Sequence, residues 1–139
     1  MILPLTLTLG SAAILTNIWL ASRVSRLRYA RGVSVGDGGD PGLIARMRAQ
    51  ANYIEHAPFF LILLAAVEMA RGSPLWLWAL GALFFLARIL HALGMDGGRL
   101  KRLRGWGMLT TVAVLLVLVV YALYLVATWK GTAAPITFA

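Results

Sequence analysis

Three polar residues, Arg48, Asn52 and Glu55, recur at i, i+4 and i+7 along an otherwise apolar stretch, a spacing that lines up one face of a helix. Farther along, Arg88 and His91 are i, i+3 neighbours, and Arg104 stands just before a long uncharged run. At a helix start the free backbone N–H groups and the helix dipole add to an arginine's positive potential. Arginine offers forked donors that fit carboxylates, a glutamate holds an ammonium, and an asparagine both donates and accepts. Together these groups suit a small, mostly anionic molecule carrying carboxylates and an amine.

Blander roles compete at several positions. Glu55 and Arg88 could be a structural pair joining two helices, and Arg48 could be an interface anchor whose stem lies along lipid. His91 either touches a ligand or satisfies a nearby carbonyl. His56 is expected to be structural, Glu68 to pair with Arg71, and Tyr121 and Tyr124 to pack or mark an interface. Two histidines on different helices without a third partner make no metal-ligand set. With no cysteine in the chain, any thiol chemistry must come from a bound partner, and no serine sits in a hydrolase-like elbow.

The elements that must position these residues are membrane spans. Of 139 residues, 60% are hydrophobic and 13% charged, and the mean hydropathy is +0.82. A soluble domain carries about twice that share of charge. The net charge of +8, from 13 basic and 5 acidic residues, would draw a nucleic acid if it formed a continuous patch. Here it is confined to loops and helix ends, so a nucleic-acid partner is not expected and a lipid bilayer is. The whole chain, 1–139, reads as one all-α domain with spans near 2–24, 43–70, 74–95 and 104–129. The first is expected to be a retained span rather than a cleaved leader, because no basic segment precedes it and Arg23 follows. No internal repeat is evident.

Arg71-Gly72-Ser73-Pro74 is a turn signal, so the second and third spans form an antiparallel hairpin. Glu55 and Arg88 each lie about 25 Å from that turn at the helical rise, which predicts a polar layer between the two helices near one edge of the hydrocarbon. Pro58, one turn after Glu55, should loosen the helical ladder. The first loop and its flanks carry Arg23, Arg26, Arg28, Arg31, Arg46 and Arg48, and the third carries Arg99, Lys101, Arg102 and Arg104. The other side offers Arg71 and Lys130. The positive-inside rule thus places loops one and three in the cytoplasm and both termini outside, with Trp76, Trp78 and Trp129 in the outer aromatic belt.

The run Arg48-Ala49-Gln50-Ala51-Asn52-Tyr53-Ile54-Glu55-His56-Ala57-Pro58 resembles the second-helix signature of the MAPEG family, the membrane-associated proteins of eicosanoid and glutathione metabolism. The resemblance continues through Ala87-Arg88-Ile89-Leu90-His91 and reaches Arg104, and it covers the chain from about Leu5 to Val126. Gly36-Asp37-Gly38 and His91-Ala92-Leu93-Gly94 look like the small bacterial members, which implies a bacterial inner membrane. The resemblance implies a homotrimer of four-helix subunits with glutathione bound between neighbours near the cytoplasmic side. Arg26, Arg48, Asn52, Glu55, Arg88 and His91 would line that site, and Arg104 would stabilise the glutathione thiolate. A lipophilic co-substrate would enter from the bilayer, giving a glutathione-dependent transferase or peroxidase. Ala51, Met95 and Gly105 stand where the prostaglandin-synthase branch of the family carries arginine, tyrosine and serine. Losing those polar contacts motivates a second expectation, a non-catalytic lipid or ligand binder of the same fold. The buried charge layer alone motivates a third, a channel or transporter.

Overall fold

The computed structural model describes residues 2–129 and Gly131; Lys130, assigned above to the outer side, lies outside them. Four helices follow in order: α1 (Pro4–Arg31), α2 (Pro41–Arg71), α3 (Leu75–Met95) and α4 (Lys101–Ala127), the last preceded by a 3-10 turn at Gly98–Leu100. All four are long and apolar enough to cross a membrane, and their outward faces stay apolar, as lipid requires. No strand occurs among the described residues.

The local chemistry sets the helix ends. Proline stands in the first turn of both α1 and α2, where a missing N–H costs nothing. Asp40 caps α2 by accepting from Leu43 N at 2.9 Å, and Gly32 ends α1 in the left-handed conformation. The expected α2–α3 hairpin turns at Gly72, Ser73 and Pro74. Both α1 and α2 are longer than the spans read from hydropathy. They project past the hydrocarbon, so the first-loop arginines are helical up to Arg31.

At the hairpin end the expected Glu68–Arg71 pair is replaced by a different bond set. Glu68, 2% exposed, accepts from Leu5 N at 2.9 Å, from Thr6 N at 2.7 Å, from Thr6 Oγ1 at 2.6 Å, and from Ser73 Oγ. The reason is that α1 begins without a side-chain cap of its own. Its first N–H groups have no intrahelical acceptor, and the hydrocarbon offers none. A buried carboxylate answers that need, whereas Arg71 is exposed and reaches water. One side chain thus ties α1, α2 and the hairpin together.

The opposite end is tied by ion pairs. Asp96, at the end of α3, meets the guanidinium of Arg23 from α1 and Arg46 Nε from α2, the latter at 3.5 Å. Arg46 also donates to Arg23 O at 3.1 Å, and Arg23 lies over the Trp19 ring at 4.9 Å. Arg31 and Asp40 pair at 3.0 Å across the first loop. Between the two ends, Phe60 of α2 stacks on Phe84 of α3 at 3.9 Å, and Tyr53 donates to Ala13 O of α1 at 2.9 Å. Near the hairpin end Trp76 meets Tyr121 edge to face, the packing role expected of that tyrosine.

The closest contact is between α3 and α4. A Cβ on Gly94 would stand 2.1 Å from Arg104 N, and one on Gly107 would stand 2.5 Å from Ala87 O and 2.7 Å from His91 N. The two backbones touch because both positions lack a side chain, as small residues allow in membrane helices. Thr111, one turn beyond Gly107 and fully buried, turns its hydroxyl back onto Gly107 O.

Glu68→Ala is expected to destabilise the protein by about 1–3 kcal/mol, because it strands the buried N–H of Leu5 and the part-buried N–H of Thr6. Glu68→Gln should cost less, since one oxygen still accepts. Thermal unfolding in detergent measures both, and an unchanged midpoint for the alanine variant would contradict the capping role. At the other end, the Leu43 N–H holds the Asp40 carboxyl below the ordinary value of 3.8. A depressed pKa means the cap's contribution is present above 3.8 and is lost only as pH falls through the lower folded value. An NMR titration of the Asp40 carboxyl should give a midpoint below 3.8.

Candidate functional site

The Gly94 and Gly107 contacts determine where the head of α4 lies. They press Arg104 against the last turns of α3, and His91 then reaches Arg104 O at 3.1 Å. A carbonyl only accepts, so Nδ1 of His91 carries the proton and donates. The other ring nitrogen, in the neutral form, is left as an acceptor. The Asp96 ion pairs hold the α3–α4 connection to α1 and α2, which brings the face of α2 bearing Arg48 opposite Arg104.

Between these three helices lies a cleft of about 450 Å³, lined by Arg48, Ala51, Asn52 and Glu55 from α2, His91 and Met95 from α3, and Arg104, Gly105 and Met108 from α4. Each helix contributes residues three or four apart, so each presents one face. The volume is in the range of small-molecule sites.

Five of the seven residues named from the sequence therefore share one cleft: Arg48, Asn52, Glu55, His91 and Arg104. Arg88 stands behind it, 2% exposed, and donates through Nη2 to Asn52 Oδ1 at 2.8 Å. Of the two roles weighed for Glu55 and Arg88, the structural pair between them is not formed; Arg88 bonds Asn52 instead. Three residues along a helix leave two side chains about 60° apart on one face, enough that Asn52 reaches Arg88 of α3 while Glu55, on the exposed edge of that face, does not. Arg26 lies on the exposed surface of α1 and does not line the cleft of its own chain. His56 donates to Asn52 O at 2.7 Å within its own helix, the structural role expected of it. His91 combines both roles considered for it, since it lines the cleft and satisfies a carbonyl.

The charges divide in an informative way. Arg23, Arg31 and Arg46 have carboxylate partners. Among the described residues Arg48 and Arg104 have no carboxylate within 4.0 Å, and Glu55 has no cationic partner within that distance. Arg88 keeps Nε and Nη1 buried without a partner. The cleft thus presents two uncompensated cations, one free carboxylate, an amide and a ring nitrogen. Asn52 has committed its oxygen to Arg88, so its NH2 group is what it offers to a ligand. This set fits a zwitterion with excess negative charge.

Reading the sequence alone missed Met108 as a lining residue, Gly107 as the position that admits His91, and Asp96 as the tie between elements. Gly107 had a signal: it is a glycine within a span otherwise rich in leucine and valine. Asp96 had a weaker one, as the single acid in a strongly basic loop.

The model of the MAPEG family matches residues 6–124, a range that takes in every cleft residue. No curated protein matches the chain.

Asn52→Ala is expected to cost about 1–3 kcal/mol, because it removes the one acceptor that the buried Arg88 guanidinium has among the described residues. Glu55→Gln should leave stability within about 0.5 kcal/mol. Thermal unfolding of both variants checks this, and the reverse order would restore Glu55 as the partner of Arg88.

Proposed function

The chain belongs to the MAPEG family, and from that premise we propose that it is a glutathione-dependent membrane transferase or peroxidase acting on lipophilic electrophiles. The family contains such enzymes, and the protein is an integral membrane protein of four helices. The observation that carries the reading is the cleft itself, where Arg48 and Arg104 face one free carboxylate, Glu55, across about 450 Å³. Glutathione has two carboxylates, one ammonium and a thiol. Arg48 takes a carboxylate, Glu55 the ammonium, and the Asn52 amide donates to the peptide backbone. Arg104 is left for the sulfur.

The chemistry asked of the protein is small. A cation close to a thiol lowers its pKa by about 1–3 units, which raises the thiolate fraction at neutral pH from a few per cent toward all of it. In transfer, the sulfur lone pair forms a C–S bond to the electrophilic carbon, and the leaving group departs with its bonding electrons. In peroxide reduction, the thiolate attacks a peroxide oxygen and the O–O bond breaks, releasing an alcohol after protonation. The sulfur, now a sulfenic acid, is attacked by a second glutathione thiol: the S–S bond forms, the S–O bond breaks, and the oxygen leaves as water. Arg104 sits at the head of a span, so a lipid-soluble electrophile approaches from the bilayer while glutathione enters from water.

The same reading places loops one and three in the cytoplasm of a bacterial cell, in the inner membrane, with three copies forming the working unit. Arg26, exposed on α1, would then face a neighbouring copy's cleft. A second reading has its own support: Ala51, Met95 and Gly105 all line the cleft and add no charged or hydrogen-bonding side chain. A non-catalytic lipid or ligand binder would bind a lipid saturably even as Arg104→Ala.

Arg104→Ala is expected to lower kcat/KM toward a generic aromatic electrophile by about 10- to 1,000-fold near neutral pH. The loss should shrink as pH rises toward the ordinary thiol value of about 8.5. Steady-state kinetics across pH measure this. No turnover by the wild type with any electrophile or hydroperoxide would overturn the catalytic reading.

A further inference from the structure

The head of α4 carries basic residues on two sides. Arg104 faces the cleft. Arg102 lies about 200° away around the helix and heads a different surface, the exposed stripe that continues through Trp106, Leu109, Leu116 and Val120. Arg99 and Lys101 flank Arg102, and all three side chains are exposed. None of the three has a carboxylate within 4.0 Å among the described residues.

We propose that Arg99, Lys101 and Arg102 form a docking site for the headgroup of an anionic phospholipid whose acyl chains lie along the exposed stripe of α4. The inference is independent of any reaction in the cleft.

Charge complementarity favours a lipid over a second copy of the chain. The protein has five acidic residues. Asp40 and Asp96 are ion-paired, Glu68 is buried at the far end, and Glu55 lies in the cleft. Asp37 alone is left at this end, and it already accepts from Gly39 N at 2.9 Å. Another copy therefore lacks the counter-charges that three cations require, whereas an anionic leaflet supplies them.

The stripe below fits the rest of such a lipid. Trp106, one turn beneath Arg102 and 64% exposed, stands at the depth where an aromatic ring meets headgroups. Leu116 is about 21 Å along the helix from Arg102, roughly the depth of one leaflet with its headgroup. Leu116 is also the near rim of a shallow hollow of about 480 Å³ that runs on through Val117, Val120, Tyr121 and Tyr124 toward the hairpin end, so chain ends from this side reach its rim. Its lining is apolar, so it takes chain ends and not a polar group.

The test uses the full chain in nanodiscs of phosphatidylcholine with increasing phosphatidylglycerol. Native mass spectrometry counts the lipids retained, and lipids brominated on their acyl chains quench nearby tryptophan. The wild type should retain phosphatidylglycerol over phosphatidylcholine, with the preference falling roughly fivefold for Arg102→Gln and vanishing in the Arg99→Gln, Lys101→Gln, Arg102→Gln triple variant. Arg71→Gln, at the other end, should keep the full preference. The fluorescence lost on changing Trp106→Phe should be the part quenched more by brominated phosphatidylglycerol than by brominated phosphatidylcholine. Equal retention of the two lipids by the wild type, an unaltered preference in the triple variant, or equal quenching of Trp106 would overturn the proposal. So would a triple variant that changes the oligomeric mass and not the lipid count, since the patch would then belong to a contact between copies.

Discussion

Where α3 and α4 cross, their backbones touch, and the functional geometry of the molecule hangs on that contact. Gly94 lies against the backbone of Arg104, and Gly107 against Ala87 and His91. In lipid no hydrophobic effect drives helices together, so close van der Waals approach and interhelical hydrogen bonds must do so. The two glycines permit the approach, and the bond from His91 to Arg104 O uses it. A side chain at either glycine would separate the helices and carry Arg104 away from His91.

Around that contact the protein solves one problem repeatedly, that of satisfying charge and backbone polarity at the edge of a hydrocarbon layer. At the hairpin end a buried carboxylate caps a helix that has no cap of its own. At the other end Asp96 takes two arginines from two helices. These groups are spent on structure. Arg48, Glu55 and Arg104 are left uncommitted, and they face one another across the same cleft. Ionisable groups at membrane depth are costly, so a set of them without ion-pair partners among the described residues, gathered on one cleft, is a candidate site by default, and that grouping is what the structure adds to family membership.

Much of this was legible in the residue spacing. The i, i+4, i+7 row of α2 is a helical face wherever that helix packs, and the uncharged runs leave little choice but spans. Hydropathy also marks the hairpin, because Gly72 and Pro74 interrupt two apolar runs. Partner choice was not legible. Counting residues from the hairpin gave Glu55 and Arg88 the same depth but not the same side, and a rotation of one residue row decided for Asn52. Glu68 was read against its nearest opposite charge in sequence, whereas its donors are the N–H groups of a helix more than sixty residues away. Long-range backbone needs of that kind leave no mark in local sequence. Arg26, named through family resemblance, lies on an exposed face of its own chain, and a single chain carries no information about what a neighbour would bring to it.

The account stands most directly on whether the cleft ionises a thiol. An ultraviolet difference spectrum of the purified protein titrated with glutathione, wild type beside Arg104→Ala, reads that property without any co-substrate. The expected result is a saturable thiolate band near neutral pH in the wild type that is absent from the variant. A wild type with no band and no heat of glutathione binding would contradict the proposed activation of glutathione, leaving the four-helix fold in place and favouring the lipid-binding reading.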